Sequence, residues 1–185
     1  MISIFLGNFT KEDLALMKKI YIAGPDVFLK NAVEDLNNKK EFCQKNNFVG
    51  MIPFDANVDF TQSNEKIRKD IYEANIKMIQ DTDIVIANMN NFRHNEQDAG
   101  TIFEIGYAVA LNKEVYIYSD DNRTVIEKTT EVDKNFHIEN GQYYDTQEML
   151  IEGFDAKFNI MINESVEFIN GTFEDVVKIL KQNNV

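Results

Sequence analysis

Short β-branched runs that alternate with stretches of helical periodicity constrain this chain more than any other feature. Ile20, Tyr21, Ile22 and Ala23 form an apolar run that stops at Gly24 and Pro25, as a buried strand ending in a turn does. Four more such runs follow at 48–54, at 83–89 (DIVIANM), at 114–119 and at 166–169. Between them lie an amphipathic stretch over 27–46 and a second over 62–80, where Ile67, Ile71, Ala74 and Met78 recur at helical spacing. A third stretch, 101–111, is almost wholly apolar and reads as a helix packed on most sides, and 172–182 reads as a closing helix with Thr172 at its N-cap.

Strand alternating with helix implies an α/β fold: a doubly wound, five-stranded parallel sheet with helices on both faces, of flavodoxin-like or Rossmann-like type. In such sheets ligands bind beyond the carboxyl ends of the strands. The 185 residues suit one domain with a continuous core. Two segments stand apart from the alternation. The connection 120–157 is long enough to hold structure of its own or to serve the site. Residues 1–16 read as a dispensable extension, although Ile4, Phe5, Leu6, Phe9, Leu14 and Leu16 make it more apolar than a solvated tail. A chain starting at Met17 is expected to fold and function.

Several classes of function lose support at once. A formal charge of −12 repels a phosphate backbone, so no nucleic-acid partner is expected. No apolar run reaches the roughly 20 residues of a membrane span, so no membrane partner is expected either. The opening residues lack the flanks of a signal peptide, and the single cysteine, Cys43, suits a reducing cytoplasm. His94 and His137 are far apart, and no Cys/His cluster has metal-ligand spacing. The chain has neither GxGxxG after its first strand nor GxxxxGK[ST] anywhere, so nicotinamide and ATP chemistry are unsupported and no cofactor is expected.

Glu104 is the unusual carboxylate. It is flanked by Ile102, Phe103 and Ile105, where a charge is costly unless something stabilises it. The bland reading is a capping box, T-I-F-E, in which Thr101 caps the helix and Glu104 returns a bond. The sharper reading notes Asp98, six residues earlier and followed by Ala99 and Gly100. Two carboxylates in unlike settings are what glycosidic-bond chemistry requires, and a helix N-terminus would favour the Glu104 anion.

The letters IYIAGPDVF at 20–28 and FRHNEQDAGTIFEIGYA at 92–108 resemble the nucleoside 2-deoxyribosyltransferases. The likeness also takes in DIYEAN at 70–75, DTDIVIA at 81–87 and FNIMI at 158–162. It implies an enzyme acting on deoxyribonucleosides and free nucleobases by retaining double displacement. By that resemblance Glu104 is the nucleophile, Asp98 exchanges a proton with the base, and Tyr21 orients the nucleophile. Gly24 and Phe28, in the loop after the first strand, belong to the substrate-binding set. So does Asn75, a base contact where the family often has a carboxylate. Asn159 and Met161 match a segment that the family inserts into a neighbouring subunit's site, which implies a homo-oligomer whose pocket is completed across an interface.

Two rivals remain. A deoxynucleoside or deoxynucleotide N-glycoside hydrolase would use the same nucleophile and send water to the intermediate. Those that act on nucleotides bind a 5′-phosphate, which Asp26 would repel if it faced the pocket. In the second rival, a non-catalytic nucleotide-binding module, Glu104 merely caps its helix.

Overall fold

The computed structural model describes residues 16–94 and 96–183, with Glu12 by itself. The proposed extension therefore lies almost wholly outside the described residues; within it, Leu16 is exposed. Strands β1 (Lys19–Ala23), β2 (Val49–Met51), β3 (Ile84–Asn88), β4 (Glu114–Ser119) and β7 (Glu167–Asn170) form one parallel sheet in the order β2-β1-β3-β4-β7. The order reverses at β1. Helix α1 (Ala32–Lys45) leads to β2 on one side of β1, and α2 (Asn64–Asp81) leads to β3 on the other. Their carboxyl ends thus flank the crevice where doubly wound sheets hold ligands.

Alternation along each strand assigns the two faces. Ile20, Ile22, Ile84 and Ile86 point to one side, where Leu36 and Cys43 of α1 meet Val176, Val177 and Leu180 of α6 (Phe173–Gln182). Tyr21, Ala23, Val85 and Ala87 point to the other, against Met78 and Ile79 of α2 and Ile105 and Ala108 of α3 (Ala99–Ala110). The register pairs Tyr21 with Val85. Every residue of β3 is buried, as expected of a central parallel strand.

Three expectations from the sequence change, and one, structure within the long connection, is met. The segment read as helix from residue 27 opens with a 3-10 turn, Pro25–Phe28, and α1 begins only at Ala32. Likewise β2 is cut short by a second 3-10 turn at Pro53–Asp55, where the proline cannot donate to a ladder. The connection 120–157 holds α4 (Val125–Val132) and an antiparallel hairpin of β5 (His137–Glu139) and β6 (Gln142–Tyr144). Finally, α3 is not packed on most sides. Thr101, Ile105 and Ala108 are buried, whereas Phe103 is 52% exposed beside the rings of Tyr72 and Tyr107. Apolar composition identified the helix but not how many of its faces this chain itself covers. Thr172 does cap α6, in a capping box with Asp175.

Candidate active site

At the carboxyl edge of the sheet, β1 and α3 bring Tyr21 and Glu104 together. Tyr21 is wholly buried on the face that α3 covers, and its hydroxyl donates to Glu104 Oε1 at 2.6 Å. This bond depends on the odd-numbered side of β1 facing α3, which follows from the two-residue period of a strand. Burial holds the Tyr21 hydroxyl far above its ordinary range, so it stays protonated and acts as a donor. Burial also pushes Glu104 up from 4.5 to about 7; the Tyr21 bond opposes that shift and the charge of Asp98 adds to it.

The capping-box reading of Glu104 is overturned. Asp98 is the N-cap of α3, its Oδ2 accepting from Thr101 N at 2.8 Å and Thr101 Oγ1 at 2.9 Å. Asp98 stands three residues before Thr101, the spacing an Asx cap needs, so the helix starts earlier than the sequence reading had it. Glu104 then falls in the second turn, where the helix dipole has faded. The expected stabilisation of its anion by the helix N-terminus is corrected accordingly: burial dominates, and the carboxylate is raised rather than lowered.

The loop after β1 packs tightly against the end of β3. Gly24 has φ 145°, and a Cβ there would lie 2.7 Å from Asn88 Cβ. Only glycine suits that turn. Phe28, 60% exposed, stacks on Phe92 from the loop after β3 with centroids 5.2 Å apart. The Asp26 carboxylate is neither exposed nor unpaired. It is buried, paired with Lys39 Nζ at 3.1 Å and accepting from Asn88 Nδ2 at 3.0 Å. Repulsion of a phosphate by Asp26 therefore falls away as a ground for separating the rival readings.

Asn75 lies on α2, and contacts between α2 and α3 bracket it: Tyr72 against Phe103, and Gln80 Nε2 donating to Tyr107 Oη at 2.8 Å. Its Oδ1 is buried and meets no hydrogen-bond donor among the described residues. Asn159 and Met161 are not gathered here. Asn159 caps α5 (Ile160–Asn163) and donates to Glu152 Oε2 at 3.2 Å, while Met161 is 75% exposed. Among the described residues no group of His, Cys, Asp and Glu could hold a metal ion, and no helix is long and apolar enough to cross a membrane.

Sequence reasoning missed Phe92, Lys39, Asn88 and Asn90. Lys39 left a signal only in its spacing, three residues after Leu36 and four before Cys43 on the apolar face of α1. Asn88 left one too, as an amide inside an apolar strand. Phe92 sits in a polar loop that gives no period to read.

Fold and site together define a doubly wound α/β domain with a half-buried, tyrosine-bonded carboxylate beside the carboxyl edge of its sheet. The family model of nucleoside 2-deoxyribosyltransferase matches residues 20–161, and the chain belongs to that family. A 2-deoxyribosyltransferase of Leishmania mexicana is similar in structure, with a TM-score of 0.70 and 30% identity, covering 91% of this chain and 99% of that one. A 2-deoxyribosyltransferase of Bacillus psychrosaccharolyticus shares the fold at 18% identity, with a TM-score of 0.55 over 86% of this chain and 90% of its own. An uncharacterised protein of Schizosaccharomyces pombe is 31% identical over 59% of this chain, which spans only 53% of that relative's length.

Proposed function

We propose that the protein transfers 2-deoxyribose between nucleobases. The observation that carries this reading is the Tyr21 to Glu104 bond at 2.6 Å, placed at the ligand edge of a chain of this family. Ionised Glu104 attacks C1′ of a deoxynucleoside as the glycosidic C–N bond breaks, and Asp98 gives the departing base its proton. A second base then attacks C1′, breaks the ester to Glu104 and returns a proton to Asp98. Two inversions give net retention. Tyr21 orients the carboxylate and, by donating to it, favours the attacking anion.

The rest of the set is consistent with this. The cap uses only Oδ2 of Asp98. The unmet Asn75 Oδ1 suits an N–H of a nucleobase, since a buried acceptor left without a donor is costly. Gly24 lets the turn pack against the end of β3, and exposed Phe28 offers a ring face. Exposed Met161, with Asn159 beside it, suits contribution to a neighbouring subunit, and the open aromatic face of Phe103 suits burial in a homo-oligomer.

Incubating the protein with a deoxynucleoside and a different free base tests the proposal. Formation of the exchanged nucleoside supports it. Release of base and free deoxyribose alone indicates a hydrolase, and no turnover of any donor leaves only a binding module.

A further inference from the structure

Seven buried or half-buried polar side chains connect the loops at the carboxyl edge of the sheet. Lys39, reaching up from α1, pairs with Asp26 at 3.1 Å and with Asp35 at 3.0 Å, and donates to Tyr118 Oη at 3.4 Å. Asp26 accepts from Asn88 Nδ2 at 3.0 Å, and Asn88 Oδ1 accepts from Asn90 N at 3.0 Å. Asn90 Oδ1 in turn accepts from Ser119 Oγ at 2.9 Å and Asp120 N at 3.0 Å. One network thus runs through the ends of β1, β3 and β4. Asp26, Lys39 and Asn88 are each less than a tenth exposed.

A buried ion pair is poor evidence for stability, because desolvating both charges offsets most of their attraction. An apolar pair of similar volume would hold α1 on the sheet at least as well. What an apolar pair cannot do is hold the Gly24–Phe28 turn in one direction. Asp26 is the central residue of that turn. Its two partners approach from different elements, Lys39 from α1 and Asn88 from β3, and so fix it in two directions. Two residues farther on, Phe28 stacks on Phe92, which follows Asn88 and Asn90 in the second arm of the same network.

We propose that Asp26 and Lys39 are positioning residues for the transfer reaction: their pair, locked to Asn88, sets the height of the Gly24–Phe28 turn and hence the gap between Phe28 and the Glu104 carboxylate that admits the donor nucleoside. The proposal rests on the transferase reading. Displacement of a substrate by about 1 Å can lower turnover on the order of 10²-fold, so a turn that governs donor placement has leverage on catalysis without touching the substrate.

The test compares three variants with the wild type in the exchange assay, each at a temperature well below its melting point. Asp26→Ala removes the anchor while leaving Lys39 its second carboxylate, Asp35, so no buried cation is stranded. It is expected to raise the donor KM about tenfold and to lower kcat/KM by more. Asp26→Asn keeps a neutral bond to Asn88 and should fall between Asp26→Ala and the wild type. Val176→Ala thins the same core face without touching the network, so it should lower the melting temperature and leave KM unchanged. If Asp26→Ala is insoluble, Asp26→Asn decides, with a rise of about threefold expected on the same reasoning. Donor KM within twofold of the wild type in the folded Asp26 variants, or an equal rise in Val176→Ala, overturns the positioning role. Exchange absent in the wild type itself refutes the transferase reading first, and this proposal with it.

Discussion

Replacing Glu104 by glutamine should abolish transfer and, at the same time, stabilise the fold in a pH-dependent way. Burial raises the Glu104 carboxyl from 4.5 to about 7. Between those values the folded chain holds a proton that the unfolded chain has released, so this group makes stability fall as pH rises across the window. The loss is complete above about pH 7, and a shift of this size corresponds to about 3 kcal/mol. Glutamine has the same shape, offers Tyr21 a carbonyl oxygen to bond and carries no charge. Urea unfolding followed by circular dichroism should therefore show Glu104→Gln more stable than the wild type by about 3 kcal/mol at pH 8 and by about 1 kcal/mol or less at pH 5. The same variant should show no exchange, since an amide cannot form the ester. A variant no more stable than the wild type at pH 8, or one with an equal gain at both pH values, would refute the claim that folding buries this carboxylate at a cost. Retained exchange would refute its role as nucleophile.

Three further outcomes follow from the geometry. Asp98→Asn should slow transfer by ~10²–10⁴-fold, most for bases that leave poorly unprotonated; because asparagine caps as well as aspartate, stability should change by about 1 kcal/mol at most, and an equal rate loss for good and poor leaving bases would argue against proton transfer. Tyr21→Phe removes the bond that draws the Glu104 pKa down, so the acid limb of the kcat/KM profile, set by the ionised nucleophile, should move to higher pH; a limb that stays in place would show that Tyr21 does not tune the carboxylate. Mixed assemblies of Glu104→Ala and Asn159→Ala chains, co-refolded from denaturant, should recover activity that neither has alone, and no recovery from two inactive parents would place Asn159 in its own chain's site or outside catalysis.

Local pattern determined much of this protein. The short apolar, β-branched runs IYIA and DIVIANM and the helical spacing between such runs were enough for a doubly wound parallel sheet, because each element must bury its apolar surface and only a few layer arrangements permit it. Glu104 was legible as a carboxylate amid apolar neighbours and Asp98 as a second carboxylate just ahead of it, whereas Tyr21 and the separate roles of the three came only from the resemblance to the family. Relations between distant segments were decided only by the tertiary structure. Asp26 turned inward because a cation 13 positions later, on α1, came to lie beneath it. Glu104 lost its place in a capping box because Asp98 started the helix earlier, and it found its partner on a strand 83 residues away. The pKa of that carboxylate depends on how much water the packed sheet and helix exclude, a quantity no local spacing encodes. The hairpin within 120–157 escaped for the complementary reason: its strands are three residues each and their ladder is formed between exposed and half-buried side chains, so no apolar period announced it.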